Sequence, residues 1–104
     1  MFDFNGKVVL ITGASYGLGE QFAYAFADAG ADLVLTARSQ EMLEAVGAVC
    51  QEKGACVSVV TGDVSIEADV NRVIDRAINS HGHIDVLINN AGIADARGVA
   101  AEQF

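Results

Sequence analysis

Three glycines, Gly13, Gly17 and Gly19, stand in the run Thr12-Gly13-Ala14-Ser15-Tyr16-Gly17-Leu18-Gly19, spaced G-x3-G-x-G. The apolar, β-branched segment Lys7-Val8-Val9-Leu10-Ile11 precedes them, and Leu18, Phe22, Ala25, Phe26 and Ala29 recur behind them at helical spacing. A glycine-rich turn from a buried strand into an amphipathic helix is suited to binding a pyrophosphate. Glycine admits positive φ and close backbone approach, and the free N–H groups of a helix N-terminus meet phosphate oxygens. No Gly-Lys-Ser/Thr follows the glycines and Lys7 lies before the strand, which disfavours a phosphate-binding P-loop. Taken alone, the triplet is also what a tight turn requires. Other chemistry-bearing residues show weaker patterns. His81 and His83 flank Gly82, and Cys50 and Cys56 have no metal-ligand spacing, so no metal site is expected. Both cysteines read as free thiols packed in the interior.

The elements that must position the turn alternate along the whole chain. Strands are expected over Lys7–Thr12, Asp32–Thr36, Cys56–Thr61 and Ile84–Asn89, and the first helix over Gly17–Ala29. Ser39 is the expected N-cap of a second helix with Met42, Leu43, Val46, Val49 and Cys50 on one face, Lys53 in its last turn and Gly54 just beyond. Ser65 is the expected cap of a third, whose apolar positions are Ile66, Val70, Val73, Ile74, Ala77 and Ile78 and which Gly82 ends. A further helix is expected to open near Ala100. Four strands joined by three helical crossovers imply an α/β, Rossmann-like parallel sheet with helices on both faces, in the order 3-2-1-4. The switch point then lies between the first and fourth strands. The loops Thr12–Gly19, Ala37–Ser39, Gly62–Ser65 and Asn89–Ile93 all fall at the carboxyl edge, where such sheets bind ligands.

Bulk properties narrow the choice of partner. At 104 residues and 52% apolar composition the chain is one domain at most, and short for this architecture. A formal charge of −8 argues against nucleic acid and anionic membranes as partners, while a dinucleotide site relies on local donors. No apolar run reaches the ~20 residues of a membrane span, and Met1-Phe2-Asp3-Phe4 lacks the features of a signal peptide. The cytoplasm is the expected location.

Two separated motifs give the chain a family likeness. Thr12–Gly19 resembles the TGxxxGxG cofactor turn of the short-chain dehydrogenase/reductase family, and Asn89-Asn90-Ala91-Gly92 resembles its NNAG element after the fourth strand. Gly62-Asp63-Val64 is similar to its Asp-Val after the third strand, and Gly6-Lys7 and Ile84-Asp85-Val86-Leu87 also match. The resemblance covers essentially the whole chain. It implies that Gly13, Gly17 and Gly19 approach the pyrophosphate, with Ser15, Tyr16 and Leu18 lining the turn. Asp63 would accept from the adenine amine and Val64 would serve the ring through its backbone. Asn90, Ala91 and Gly92 would lie against the nicotinamide ribose, and Asn89 would tie the fourth strand to its neighbours. Where an NAD-selective site carries Asp or Glu at the end of the second strand, this chain has Thr36-Ala37-Arg38-Ser39. A guanidinium suits a 2′-phosphate and Ser39 adds a hydroxyl donor, so NADP is favoured over NAD. Tyr16 stands where NADP-selective relatives often carry a second basic residue.

The family's chemistry rests on a Ser and a Tyr-x3-Lys set, the Tyr hydroxyl acting as acid or base. Four residues beyond Tyr16 and Tyr24 stand Glu20 and Asp28, so no Tyr-x3-Lys is present and no catalytic residue is assigned. The chain therefore reads as the partial, N-terminal cofactor-binding half of an NAD(P)-dependent oxidoreductase acting on alcohols or carbonyls. It is expected to be inactive alone, with the oligomer contacts largely lost and one sheet edge open. The alternative is a non-catalytic nucleotide-binding or interaction module.

Overall fold

The computed structural model describes residues 3–90. Strands and helices alternate as β1 (Val8–Thr12), α1 (Gly17–Asp28), β2 (Asp32–Ala37), α2 (Gln40–Glu52), β3 (Val57–Thr61), α3 (Glu67–His81) and β4 (Val86–Ile88). Every strand pairing is parallel and the order is β3-β2-β1-β4, the Rossmann-like arrangement expected. The register sets Thr12 beside Thr36 and Ile11 beside Ile88, so β1, β2 and β4 finish at a common carboxyl edge. The helix expected near Ala100 lies outside the described residues. No helix among the described residues is long and apolar enough to cross a membrane.

Alternation along β1 and β2 feeds two cores. Val9, Ile11, Leu33 and Leu35 pack with Ala23 and Ala27 of α1 and Leu43, Val46 and Cys50 of α2. On the opposite face Val8, Leu10 and Val34 meet Val60 and the α3 residues Val73 and Ala77. Covering on both faces is why β1 is buried at all five positions and reads as an unbroken apolar run.

The helices bury narrower stripes than their apolar spacing suggests. In α1 the fully buried positions are the small residues Gly19, Ala23 and Ala27, which bring the helix axis close to the sheet, while Phe22 and Phe26 pack at its flank and Leu18 faces outward. In α2 the buried set is Leu43, Val46, Gly47 and Cys50, with Met42 and Val49 exposed. A Cβ at position 47 would stand 2.7 Å from Val59 Cγ2, so Gly47 sets how closely this helix approaches β3. Ser39 caps α2 as expected, accepting from Met42 N–H at 3.3 Å. Lys53 is the C-cap rather than part of the last turn, and its ammonium joins α2 to α1 through Asp28 at 3.0 Å.

Three expectations are corrected. Ser65 does not cap α3: the helix starts at Glu67 behind Ile66, which offers no side-chain cap, because Ser65 is engaged by Asp63 instead. Ile66, Ile74 and Ile78 are exposed, since α3 packs on β2 and β3 through Val73 and Ala77 alone among its fully buried residues. Cys56 is exposed in the lead-in to the edge strand β3, whereas Cys50 is buried and burial pushes its thiol up to about 11. His81 meets Ser58 Oγ at 3.0 Å, and no group of His, Cys, Asp or Glu among the described residues could hold a metal.

The short strand β4 is locked to β1 by a side chain. Asp85 donates its N–H to the Val8 carbonyl at 2.9 Å, and its carboxylate accepts the Val8 N–H at 2.8 Å. His83 Nε2 meets the same oxygen at 2.8 Å. The Val8 N–H is the main reason the Asp85 carboxyl titrates below its ordinary value of 3.8, with nearby His83 and Lys7 adding to it. A lowered folded-state pKa stabilises the fold above the unfolded value and is lost as pH falls through the folded one. Asp85→Ala is therefore expected to lower Tm at neutral pH by roughly 5 °C, a gap that closes as the pH is taken well below 3.8. Thermal melts of both proteins across pH 2–7 check this, and a gap independent of pH would contradict it.

Candidate functional site

The carboxyl edge is assembled from strand ends. Beyond β1 the chain turns at Gly13 (φ +61°), buries Ala14 and Ser15, and enters α1 at Gly17 (φ +60°). Both angles are costly for residues with a Cβ, which is why glycine occupies them. Ala14 N–H donates to the Thr36 carbonyl at 3.2 Å and pins the turn to β2. Tyr16 is the N-cap of α1 in extended conformation and contributes no side-chain cap bond, unlike Ser39 on α2. The Tyr16 side chain therefore does not compete for the N-terminal amides of α1.

Gly19 is required by space. A Cβ there would overlap the Gly13 carbonyl oxygen and stand 2.7 Å from Asn90 Nδ2. Asn90 is fully buried: its N–H donates to Thr12 Oγ1 at 2.8 Å and its Nδ2 donates to the Gly13 carbonyl at 3.2 Å. Among the described residues its Oδ1 is buried without a hydrogen-bond partner. Thr12 Oγ1 also donates to Asn89 Oδ1 at 3.2 Å, so Asn89 ties β4 to β1. Ala91 and Gly92 lie outside the described residues.

Two more loops complete the edge. Gly62 N–H donates to the Ala37 carbonyl at 3.0 Å, bringing Gly62-Asp63-Val64 beside Ala37-Arg38-Ser39. Ser39 Oγ accepts from Met42 as the α2 cap, which leaves its hydroxyl hydrogen able to donate elsewhere. Asp63 Oδ1 accepts both the N–H (2.9 Å) and the hydroxyl (2.7 Å) of Ser65. Those two bonds chiefly hold the Asp63 carboxyl below 3.8, and the Arg38 charge contributes to the same end. Asp63 is thus an ionised, acceptor-only group at neutral pH.

Between these strand ends and α3 lies a cavity of about 230 Å³, walled by Leu10, Val70, Val73, Ile74 and Leu87, with Thr12, Thr36, Asp63 and Asn89 supplying polar atoms. Among the described residues Thr36 Oγ1 is buried without a hydrogen-bond partner. Thr12 opens the glycine-rich run and Thr36 the segment before Arg38, but the sequence assigned neither a role of its own in the site. The available signal was a hydroxyl on the last or near-last residue of each central strand. An apolar pocket with few convergent polar groups, beside uncapped helix amides and a guanidinium, suits an extended anionic ligand carrying a flat ring.

The family model described as short chain dehydrogenase matches residues 7–104, and the chain belongs to that family. It is 48% identical over 94 residues to the 11-beta-hydroxysteroid dehydrogenase-like 4A of Arabidopsis thaliana, covering 89% of this chain and 31% of that protein. Among solved structures, NAD+-bound xylitol dehydrogenase superposes with TM-score 0.79 at 36% identity, over 81% of this chain and 32% of the other. The L-sorbose reductase of Gluconobacter frateurii, complexed with NADPH and L-sorbose, gives TM-score 0.80 at 37% identity, over 83% and 33%. The chain thus spans about a third of the length of these relatives.

The contacts at Gly19 yield a direct test. Gly19→Ala must displace either α1 or Asn90 and is expected to destabilise the fold by roughly 1–3 kcal/mol. Chemical denaturation of wild type and Gly19→Ala checks it. Equal stability of wild type and Gly19→Ala would show that the close approach is dispensable.

Proposed function

We propose that the chain is the NADP(H)-binding portion of a short-chain oxidoreductase that moves hydride between NADP(H) and an alcohol or carbonyl substrate. The observation that carries this reading is the convergence of the Gly13–Gly19 turn, Arg38 and Asp63 on one edge, at the switch point between β1 and β4. The uncapped N-terminus of α1 is a feature a dinucleotide fits, and among the described residues Asn90 Oδ1 has no hydrogen-bond partner. In this reading the pyrophosphate lies against Gly13, Ser15, Tyr16, Gly17, Leu18 and Gly19. Arg38 and the Ser39 hydroxyl take the 2′-phosphate, Asp63 and Val64 the adenine, and Asn90 with Ala91 and Gly92 the nicotinamide side. When bound, the nicotinamide supplies or accepts the hydride.

The residues present support binding without turnover. Tyr24 donates its hydroxyl to Glu20 at 2.7 Å, and burial followed by that bond pushes its pKa up to about 12. An acid–base tyrosine needs the opposite shift. Tyr16 has Glu20, not lysine, four residues on.

Thermal unfolding titrated separately with NADPH and NADH tests the reading. Ligand at about 100 times its Kd stabilises by about 2.7 kcal/mol, so a rise in Tm larger for NADPH is expected. Arg38→Asp should reverse the preference toward NADH. An unchanged ratio removes Arg38 from the site, and detectable turnover by the pure chain overturns the claim of binding alone.

A further inference from the structure

The loop before α3 is held by a chain of charged hydrogen bonds. Asp69, in the first turn of α3, uses both carboxylate oxygens: Oδ2 accepts the Asp63 N–H at 2.9 Å and Oδ1 pairs with Arg72 Nη2 at 3.3 Å. Ser65 grips Asp63 from the other side, giving its N–H and its hydroxyl to Oδ1. Gly62 packs under the same group, since a Cβ there would lie 3.4 Å from both Asp69 Cβ and Arg72 Nη2. The Asp63 backbone is thus anchored through Asp69 and its carboxylate through Ser65, leaving Oδ2 as the oxygen to accept from outside.

We propose that Asp69 and Ser65 are positioning residues that aim Asp63 Oδ2 and so make the site select a base with an exocyclic amine over one with a carbonyl at that position. This rests on the reading of Asp63 as the adenine contact. An ionised carboxylate accepts an amine hydrogen and repels a carbonyl oxygen, but only if its direction is fixed. Both carboxyls are held below their ordinary range, Asp69 chiefly by the Asp63 N–H, so both stay charged at neutral pH. Arg72 offsets the like charge of the pair but is half exposed and adds little alone. Glu67 shares the first turn of α3, so a generic effect of acidic residues at this helix N-terminus would extend to it.

The test titrates the full chain by calorimetry with NADPH and with its hypoxanthine analogue, in which a carbonyl replaces the adenine amine. Wild type is expected to prefer NADPH by about tenfold. Asp69→Ala should reduce that ratio to about twofold, whereas Asp69→Asn, whose amide oxygen can still accept the Asp63 N–H, should keep most of it. Glu67→Ala should leave the ratio intact. Should Asp69→Ala fail to melt cooperatively, Ser65→Ala carries the test, with the ratio falling several-fold. Asp69→Ala losing affinity equally for both ligands, or Ser65→Ala leaving the ratio unchanged, overturns the positioning role while the adenine reading stands. A wild type that does not distinguish the two ligands overturns the adenine reading itself, and the positioning role with it.

Discussion

The Gly13 carbonyl is met from two sides, by the bare Cα of Gly19 on α1 and by the side-chain amide of Asn90 beyond β4. This contact joins the first turn, the first helix and the fourth strand at the switch point. It demands glycine at position 19, and the small stripe continues with Ala23 and Ala27 so that α1 stays close to β1 and β2. Packing at native density leaves no slack for a methyl at this point. The same closeness brings the helix amides to the turn, so one steric constraint serves both the core and the site.

The rest of the edge depends on strand register. Asp85 fixes β4 against β1 at the amino end, and Thr12 fixes Asn89 and Asn90 at the carboxyl end. A one-residue slip would exchange inward and outward side chains along β4 and withdraw Asn90 from the Gly13 carbonyl. Gly62 is brought to Ala37 in the same way, through the continuation of the β2–β3 ladder.

Electrostatics at the site run against the charge of the whole chain. A formal charge of −8 repels an anion at long range, yet charges beyond about 8 Å are largely screened at physiological ionic strength. What remains is local: the uncapped α1 N-terminus, Arg38 and the backbone N–H groups of the turn. The carboxylates nearest the edge, Asp63 and Asp69, already accept hydrogen bonds from Ser65, Arg72 and backbone, which offsets part of their charge.

Much of this architecture is legible in local pattern. The apolar runs place β1, β2 and β3 to within a residue, the glycine spacing marks the turn into α1, and Ser39 marks the start of α2. Chain-local chemistry determines these features, because strand burial, cap bonds and positive φ depend on a few neighbouring residues. Tertiary structure decided the others. Ser65 has the composition of a cap, but Asp63 competes for it and Asp69 takes the Asp63 N–H, a choice visible only once the helix axis is set. Cys56 reads as apolar yet lies outside, because an edge strand leaves its lead-in uncovered. Thr12, Thr36 and Asp85 are visible as residues, but the bonds they make are not, since their partners lie on strands far away in sequence. Periodicity could identify the helices, but the facing sheet chose which narrow stripe of each was buried.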